Sequence, residues 1–335
     1  MPEDPVSAAI EDIEFPSADG SSTIHARIWR PAAVGAGARL KAIAQVVHGM
    51  SEHIHRYDEF ARYLCGQGYV VCGDDHIGHG ASTEPGRRGC LPAHGGAEAL
   101  IADEHTLRGI VSAKFDPETP YVLFGHSLGS FIVRCYLSRH GEGLAGAVIC
   151  GTGTVPVAVS RAGHALALAI ATARGEDYRS KLLDSMGAGG YAKAVPGPTG
   201  FEWLSYNEDN VRAYVADEEC GFMFSAGGYA ALTALTAEAC SRACAAAAPH
   251  DLPLLYISGD GDPVGDMGLG VQAAAERARG GGSLDVTCKV YEHMRHEILQ
   301  EGGRAEVFAD VASWIGEKAG AGGRSAEPAG ADAWR

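Results

Sequence analysis

Short runs of apolar, β-branched residues recur along the chain, and each ends in a turn rich in Gly or Asp. They are Thr23–Trp29, Ala42–Val47, Tyr69–Cys72, Tyr121–Phe124, Ala145–Cys150, Leu254–Ser258 and Val286–Tyr291. Apolar residues at helical spacing occupy His55–Gln67, Gly96–Lys114, Ser127–His140, Val264–Arg279 and Arg304–Glu317 between them. Strand runs that are apolar throughout, rather than alternating, predict a sheet buried on both faces. Strand alternating with helix makes that sheet mostly parallel, with helices on both sides. The alternation lapses after Cys150 and resumes at Leu254. Ala-rich helical segments at 162–173 and 226–248 flank a Gly/Pro-rich stretch, Gly187 to Gly200. This pattern predicts an α/β core in two parts, 1–151 and 251–318, interrupted by a helical cap at 152–250. Residues 319–335 are Gly/Ala-rich without periodicity, and a disordered tail is expected there.

The strand ends carry the candidate chemistry. Gly125-His126-Ser127-Leu128-Gly129 follows one strand and opens a helix. In that setting G-x-S-x-G lifts the Ser hydroxyl clear of the sheet on a tight turn, as a nucleophile requires. A second strand ends in His48-Gly49-Met50. In this architecture such a loop supplies one backbone N–H of an oxyanion hole, here from Met50, and the residue after the nucleophile, Leu128, supplies another. An acid and then a base are expected later in the chain. Gly259-Asp260-Gly261-Asp262 and Tyr291-Glu292-His293-Met294-Arg295-His296 both follow strands, so both lie at the edge that carries Ser127. Spacing alone leaves Asp260 or Asp262, and His293 or His296, open.

These segments resemble the monoacylglycerol lipase and lysophospholipase family of α/β-hydrolases, particularly its bacterial members. The likeness runs from about residue 40 to 315. It includes His48-Gly49-Met50-Ser51-Glu52-His53, Arg56-Tyr57, Gly68-Tyr69-Val70, Asp75-His76-Ile77-Gly78-His79-Gly80, the Ser127 motif, Gly259 to Val264 and Arg295-His296-Glu297. The resemblance implies Ser127 as nucleophile, Asp262 as acid and His296 as base. It also implies an α/β-hydrolase fold and an ester hydrolase acting on a single acyl chain. The cap is similar at Trp203, Tyr214 and Asp217 to Phe222, whereas His293 stands where the family more often has Gly. His48, Glu52, Phe222 and Phe224 are the further candidates for substrate contact.

Composition narrows the alternatives. With 27 Lys+Arg against 42 Asp+Glu the formal charge is −15, which disfavours nucleic acid and anionic membrane surfaces. Residues 1–20 hold six acids and no base, and residues 201–220 hold six acids against Arg212. The first window reads as a loose start; the second lies in the cap and disfavours anionic head groups. Nine Cys without a CxxC pair suit free thiols in a reducing compartment. The first residues lack the features of a signal peptide and no apolar run reaches transmembrane length, so a cytoplasmic protein with a small-molecule ester substrate and no membrane insertion is expected. Neither cofactor nor metal is expected. His53, His55, Asp75, His76 and His79 are accounted for as loop residues of the family. Two other classes share the motifs. A proline-iminopeptidase-like enzyme would need cap carboxylates for a substrate amine, with Glu202, Asp217, Glu218 and Glu219 as candidates. A non-catalytic small-ligand receptor would need no triad.

Overall fold

The computed structural model describes residues 8–32 and 40–322. Eight strands form one sheet: β1 (Ala8–Pro16), β2 (Thr23–Pro31), β3 (Ile43–Val47), β4 (Val70–Asp75), β5 (Tyr121–His126), β6 (Gly146–Cys150), β7 (Leu254–Gly259) and β8 (Val286–Tyr291). Their order is β1-β2-β4-β3-β5-β6-β7-β8. Strands β1 and β2 are antiparallel, β2 is antiparallel to β4, and β4 through β8 run parallel. This is the α/β-hydrolase architecture expected.

Period two decides which side chain faces which layer. In β5, Tyr121 and Leu123 join the core on one side, and Val122 and Phe124 the core on the other. The first layer is built with α2 (Gly96–Ser112), α3 (Leu128–His140) and α10 (Leu269–Gly281); the second with α1 (Asp58–Gly66) and α11 (Arg304–Gly322). Both faces are covered, which is why these strands read as unbroken apolar runs.

Between β6 and β7 lie α4 (Val157–Arg174), α5 (Lys181–Met186), α6 (Ala188–Ala194), α7 (Glu208–Ala216), α8 (Ala226–Ala239) and α9 (Arg242–Ala247). None of the described helices is long and apolar enough to cross a membrane.

Four expectations are corrected. The acidic start is not loose from residue 8 onward, because 8–16 forms edge strand β1. Its Glu11 pairs with Lys114 at 2.6 Å and its Asp12 with Arg27 at 2.6 Å; alternating acids on an edge strand blunt unwanted pairing. The helix expected from Val264 begins only at Leu269, because Asp266, Met267 and Gly268 take positive φ of 48°, 52° and 89°. The segment 226–248 is two helices, since Ser241 caps the second by accepting from the Cys244 amide at 3.0 Å. Helix α11 runs to Gly322, past the expected start of a tail at 319; residues 323–335 lie outside the described residues.

Candidate active site

The parallel topology brings the loops after β3, β5, β7 and β8 to one sheet edge, where open α/β sheets bind ligands. At the end of β5, Ser127 sits at φ 53°, ψ −117°, a backbone region that costs a non-Gly residue energy and persists only where the surroundings hold it. Its amide donates to the Cys150 carbonyl at 3.0 Å. Two glycines make the turn possible. A Cβ on Gly125 would lie 2.5 Å from the Gly129 carbonyl oxygen, and one on Gly129 would overlap the Val47 carbonyl oxygen. The turn and β3 therefore pack backbone against backbone.

The loop after β7 buries Asp262 completely, while Asp260 is exposed. The loop after β8 buries His296 and leaves His293 exposed. Asp262 Oδ1 and His296 Nδ1 are 3.0 Å apart. The Asp262 carboxylate also accepts from Ser258 Oγ at 2.9 Å and the Val264 amide at 2.9 Å. Burial pushes its pKa up, but His296 and these donors outweigh burial and hold it below the usual carboxylate value. His293 takes φ 56°, the left-handed region that favours Gly. A glycine would take this conformation without strain.

Ser127 and His296 line one cavity of about 340 Å³, together with Met50, Leu128, Phe131, Tyr191, Trp203, Phe222, Met223, Leu232 and Val264. Neither the Met50 nor the Leu128 amide donates to another described residue, so both remain available to an acceptor in the cavity. No Lys or Arg is among the cavity-lining residues.

The candidates for substrate contact divide. Phe222 lines the cavity, whereas Phe224 is wholly buried behind it, its ring centroid 6.3 Å from that of Phe222. His48 is also wholly buried and off the cavity wall, stacked on His76 at 3.8 Å. Glu52 borders the cavity but is engaged as an acceptor. It takes the Gly49 amide at 2.6 Å, the Tyr57 hydroxyl at 2.9 Å and Arg56 at 3.1 Å, with His126 Nδ1 at 3.2 Å. His48 and Phe224 are thus corrected from substrate contacts to supports of the wall, while Glu52 borders the cavity and also holds the loop carrying Met50.

Two features escaped sequence reasoning. Trp203, marked in the sequence only as a point of family likeness in the cap, lies 5.2 Å, ring to ring, from His296. The second is a buried ionic knot. Arg56 makes a two-pronged contact with Glu297, one prong at 2.9 Å, and donates to Asn210 at 3.0 Å; Asn210 donates to Glu297 at 2.6 Å. Glu297 directly follows His296, and its amide donates to the Leu204 carbonyl at 2.8 Å. The knot therefore joins the His296 loop, the Met50 loop and α7. Its parts sit far apart in the chain, so no local pattern links them.

Four buried imidazoles predict how stability varies with pH. Burial, then His76 and His79, drives His48 well below its usual value, and burial with His76 lowers His79 to about 3. Burial works against the charge of His76 and His126 too, but Asp74 and Glu52 respectively outweigh it and raise both. Unfolded His titrates near ~6.5. The stabilisation from His76 and His126 is complete below that pH and is lost as pH rises through their raised values. His48 and His79 refuse protons that the unfolded chain accepts below about 6.5, so stability also falls as pH drops from there toward 3. Tm measured by calorimetry from pH 4 to 9 is therefore expected to peak at about 6.5; a Tm still climbing at pH 9 would contradict this account.

Residues 38–303 match the family model Hydrolase_4, described as serine aminopeptidase, S33. A monoacylglycerol lipase of Mycolicibacterium smegmatis is 30% identical over 285 residues, covering 82% of this chain and 88% of that protein. The chain belongs to this family, the monoacylglycerol lipase branch of the α/β-hydrolases. It is a serine ester hydrolase. Human monoglyceride lipase is 26% identical over 334 residues, covering 97% of each chain. Among solved structures, a thermostable carboxyl esterase of Bacillus coagulans superposes with a TM-score of 0.85 at 30% identity, covering 93% of this chain and 100% of that one. In this chain the helices α4 to α9, at 157–247, lie between β6 and β7.

Proposed function

We propose that the protein hydrolyses uncharged monoacylglycerols through an acyl-enzyme on Ser127. The observation that carries this is a buried Asp262–His296 pair whose His296 shares with Ser127 a largely apolar and aromatic cavity that no Lys or Arg lines. His296 takes the Ser127 proton as Oγ attacks the ester carbonyl, and Asp262 holds the ring so that Nε2 faces the nucleophile. The negative charge on the tetrahedral oxygen is met by the Met50 and Leu128 amides, which are preorganised by the β3 and β5 turns. His296 returns its proton to the leaving glycerol oxygen, then activates the water that releases the fatty acid.

Residues 152–250 act in this proposal as the cap, closing the cavity with Tyr191, Trp203, Phe222 and Leu232 against the acyl chain. A cavity of about 340 Å³ is near the lower end of ligand sites, at about 300–1,000 Å³, and suits one chain rather than two. A lysophospholipid phosphate would find no Lys or Arg on the wall. The Bacillus coagulans esterase, whose structure is of a complex with glycerol, supports a glycerol head group. The wall carries Glu52, Asp184 and Glu297, but not the cap carboxylates singled out for the peptidase alternative. Glu202, Asp217, Glu218 and Glu219 all lie off it, and Asp217 is paired with His53 at 2.9 Å and Glu219 with Arg88 at 2.9 Å.

A substrate panel tests the proposal: monoacylglycerols of graded chain length, lysophosphatidylcholines of the same chains, p-nitrophenyl esters and proline arylamides. The expected result is a kcat/KM for monoacylglycerol at least tenfold above that for the matched lysophospholipid, with no arylamide turnover. Preference for lysophospholipid would overturn the head-group assignment, and dominant arylamide hydrolysis would overturn the ester assignment.

A further inference from the structure

Away from the cavity, α3 packs against α9, and two cysteines meet at their contact. Cys135 on α3 is wholly buried and Cys244 on α9 is 7% exposed. Their two sulfurs and a carboxylate oxygen of Glu238 all lie within 4.8 Å of one another. The neighbouring Cys240 sulfur is turned elsewhere, accepting the Val155 amide at 3.4 Å. A cavity of about 20 Å³ opens beside Cys244, lined by Arg134, Leu137 and Ala239. That is room for one molecule of about the size of water.

We propose that Cys135 and Cys244 form a redox-active pair that closes to a disulfide on exposure to a hydroperoxide. Thiolate is the reactive form of cysteine, and a nearby cation favours it. The contact with Cys135 lowers the Cys244 pKa, with Ser138 and Arg134 acting in the same direction against burial; Cys135 moves the opposite way. Cys244 is thus the attacking sulfur, on the side open to the small cavity, and Cys135 the resolving one. The Cys244 thiolate attacks a peroxide oxygen, so an S–O bond forms, the O–O bond breaks and the departing oxygen is protonated. The Cys135 sulfur then displaces the hydroxyl from Cys244. An S–S bond forms, the S–O bond breaks, and the Cys135 proton leaves with the hydroxyl as water. Two thiols lose two electrons and the peroxide gains two.

Glu238 is held by Arg139 at 2.5 Å; the Cys135 thiol donates to the Leu235 carbonyl at 3.6 Å and the Cys244 thiol to the Arg134 carbonyl at 3.3 Å, contacts that must give way as the sulfurs close on each other. The bond would join α3, whose first turn follows Ser127, to α9, the last helix before β7. It would enclose residues 136–243, which hold most of the segment between β6 and β7, in one covalent loop. Closing so long a loop restricts the unfolded chain strongly.

The test uses the full-length wild-type protein, reduced and then treated with hydrogen peroxide, digested without reductant and mapped by mass spectrometry. A Cys135–Cys244 cross-linked peptide that disappears on reduction is expected, with Tm raised on the order of 5 °C in the oxidised protein. In Cys135→Ser, Cys244 should stop at the sulfenic acid and be trapped by dimedone. The proposal is overturned if oxidised wild-type protein lacks that peptide, if Cys244 is joined to Cys240 instead, or if both thiols alkylate equally before and after peroxide. The deciding readouts come from the wild-type chain, so they stand whether or not the variant folds.

Discussion

Replacing Ser127 with alanine should abolish covalent labelling by a fluorophosphonate and lower kcat on monoacylglycerol by about 10⁴–10⁶-fold. The size follows from the route: without Oγ no acyl-enzyme forms, and only the oxyanion donors and substrate positioning remain to help water attack. Folding should be little affected. Serine and alanine bear the same cost at φ 53°, and the backbone contacts of the turn, Ser127 amide to Cys150 carbonyl and Gly129 against Val47, do not involve the hydroxyl. A Tm within a few degrees of wild type would make the loss of activity chemical rather than structural. Persistent labelling would show that another residue is the nucleophile, and the whole assignment of Asp262 and His296 would go with it.

Replacing Arg56 with methionine should cost about 3–5 kcal/mol of stability, read from urea denaturation. The guanidinium is nearly buried, at 10% exposure, and lies between two carboxylates, Glu52 and Glu297, that are each 5% exposed. Burial disfavours its charge, but Glu297 first and Glu52 after it raise its pKa well above the usual value. Remove the cation and Glu297 keeps only the Asn210 amide, while Glu52 keeps the Gly49 amide, Tyr57 and His126. An uncompensated buried charge is what makes such deletions expensive, more than the intrinsic worth of the pair. Adding Glu297→Leu to Arg56→Met should therefore recover part of the loss, because it removes the stranded charge. A single variant that loses less than about 1 kcal/mol would place the knot among ordinary surface pairs. Since Glu297 adjoins His296, kcat is expected to fall in the single variant with KM less affected.

Much of the core was legible because it is written locally. Seven strands were anticipated near their observed positions: β3 to β7 are buried on both faces, and β2 and β8 are short β-branched runs bounded by turns. The missed one, β1, is an edge strand whose Glu11, Asp12 and Glu14 alternate with modest apolar residues, a pattern that composition alone reads as a loose acidic start. The Ser127 turn was legible because G-x-S-x-G between a strand and a helix is a local pattern, although the contact that demands Gly129 comes from distant Val47. The acidic cap window was legible as charge but not as function. Its Asp217 and Glu219 are spent on His53 and Arg88, both on loops far back in the chain.

The sequence by itself determined the order of the core strands from β2 onward, the tight turn at Ser127 and the two loops in which an acid and a base were to be sought. These depend on period, on glycine and on residues a few positions apart. Only the tertiary structure decided that Asp262 and His296, 34 positions apart, lie within 3.0 Å of each other. It alone showed that His48 and Phe224 stand behind the cavity wall rather than on it, and that Arg56 ties the His296 loop to α7. Whether a side chain is buried, paired or facing a cavity depends on which distant segments pack around it, and a linear pattern carries no record of that neighbour.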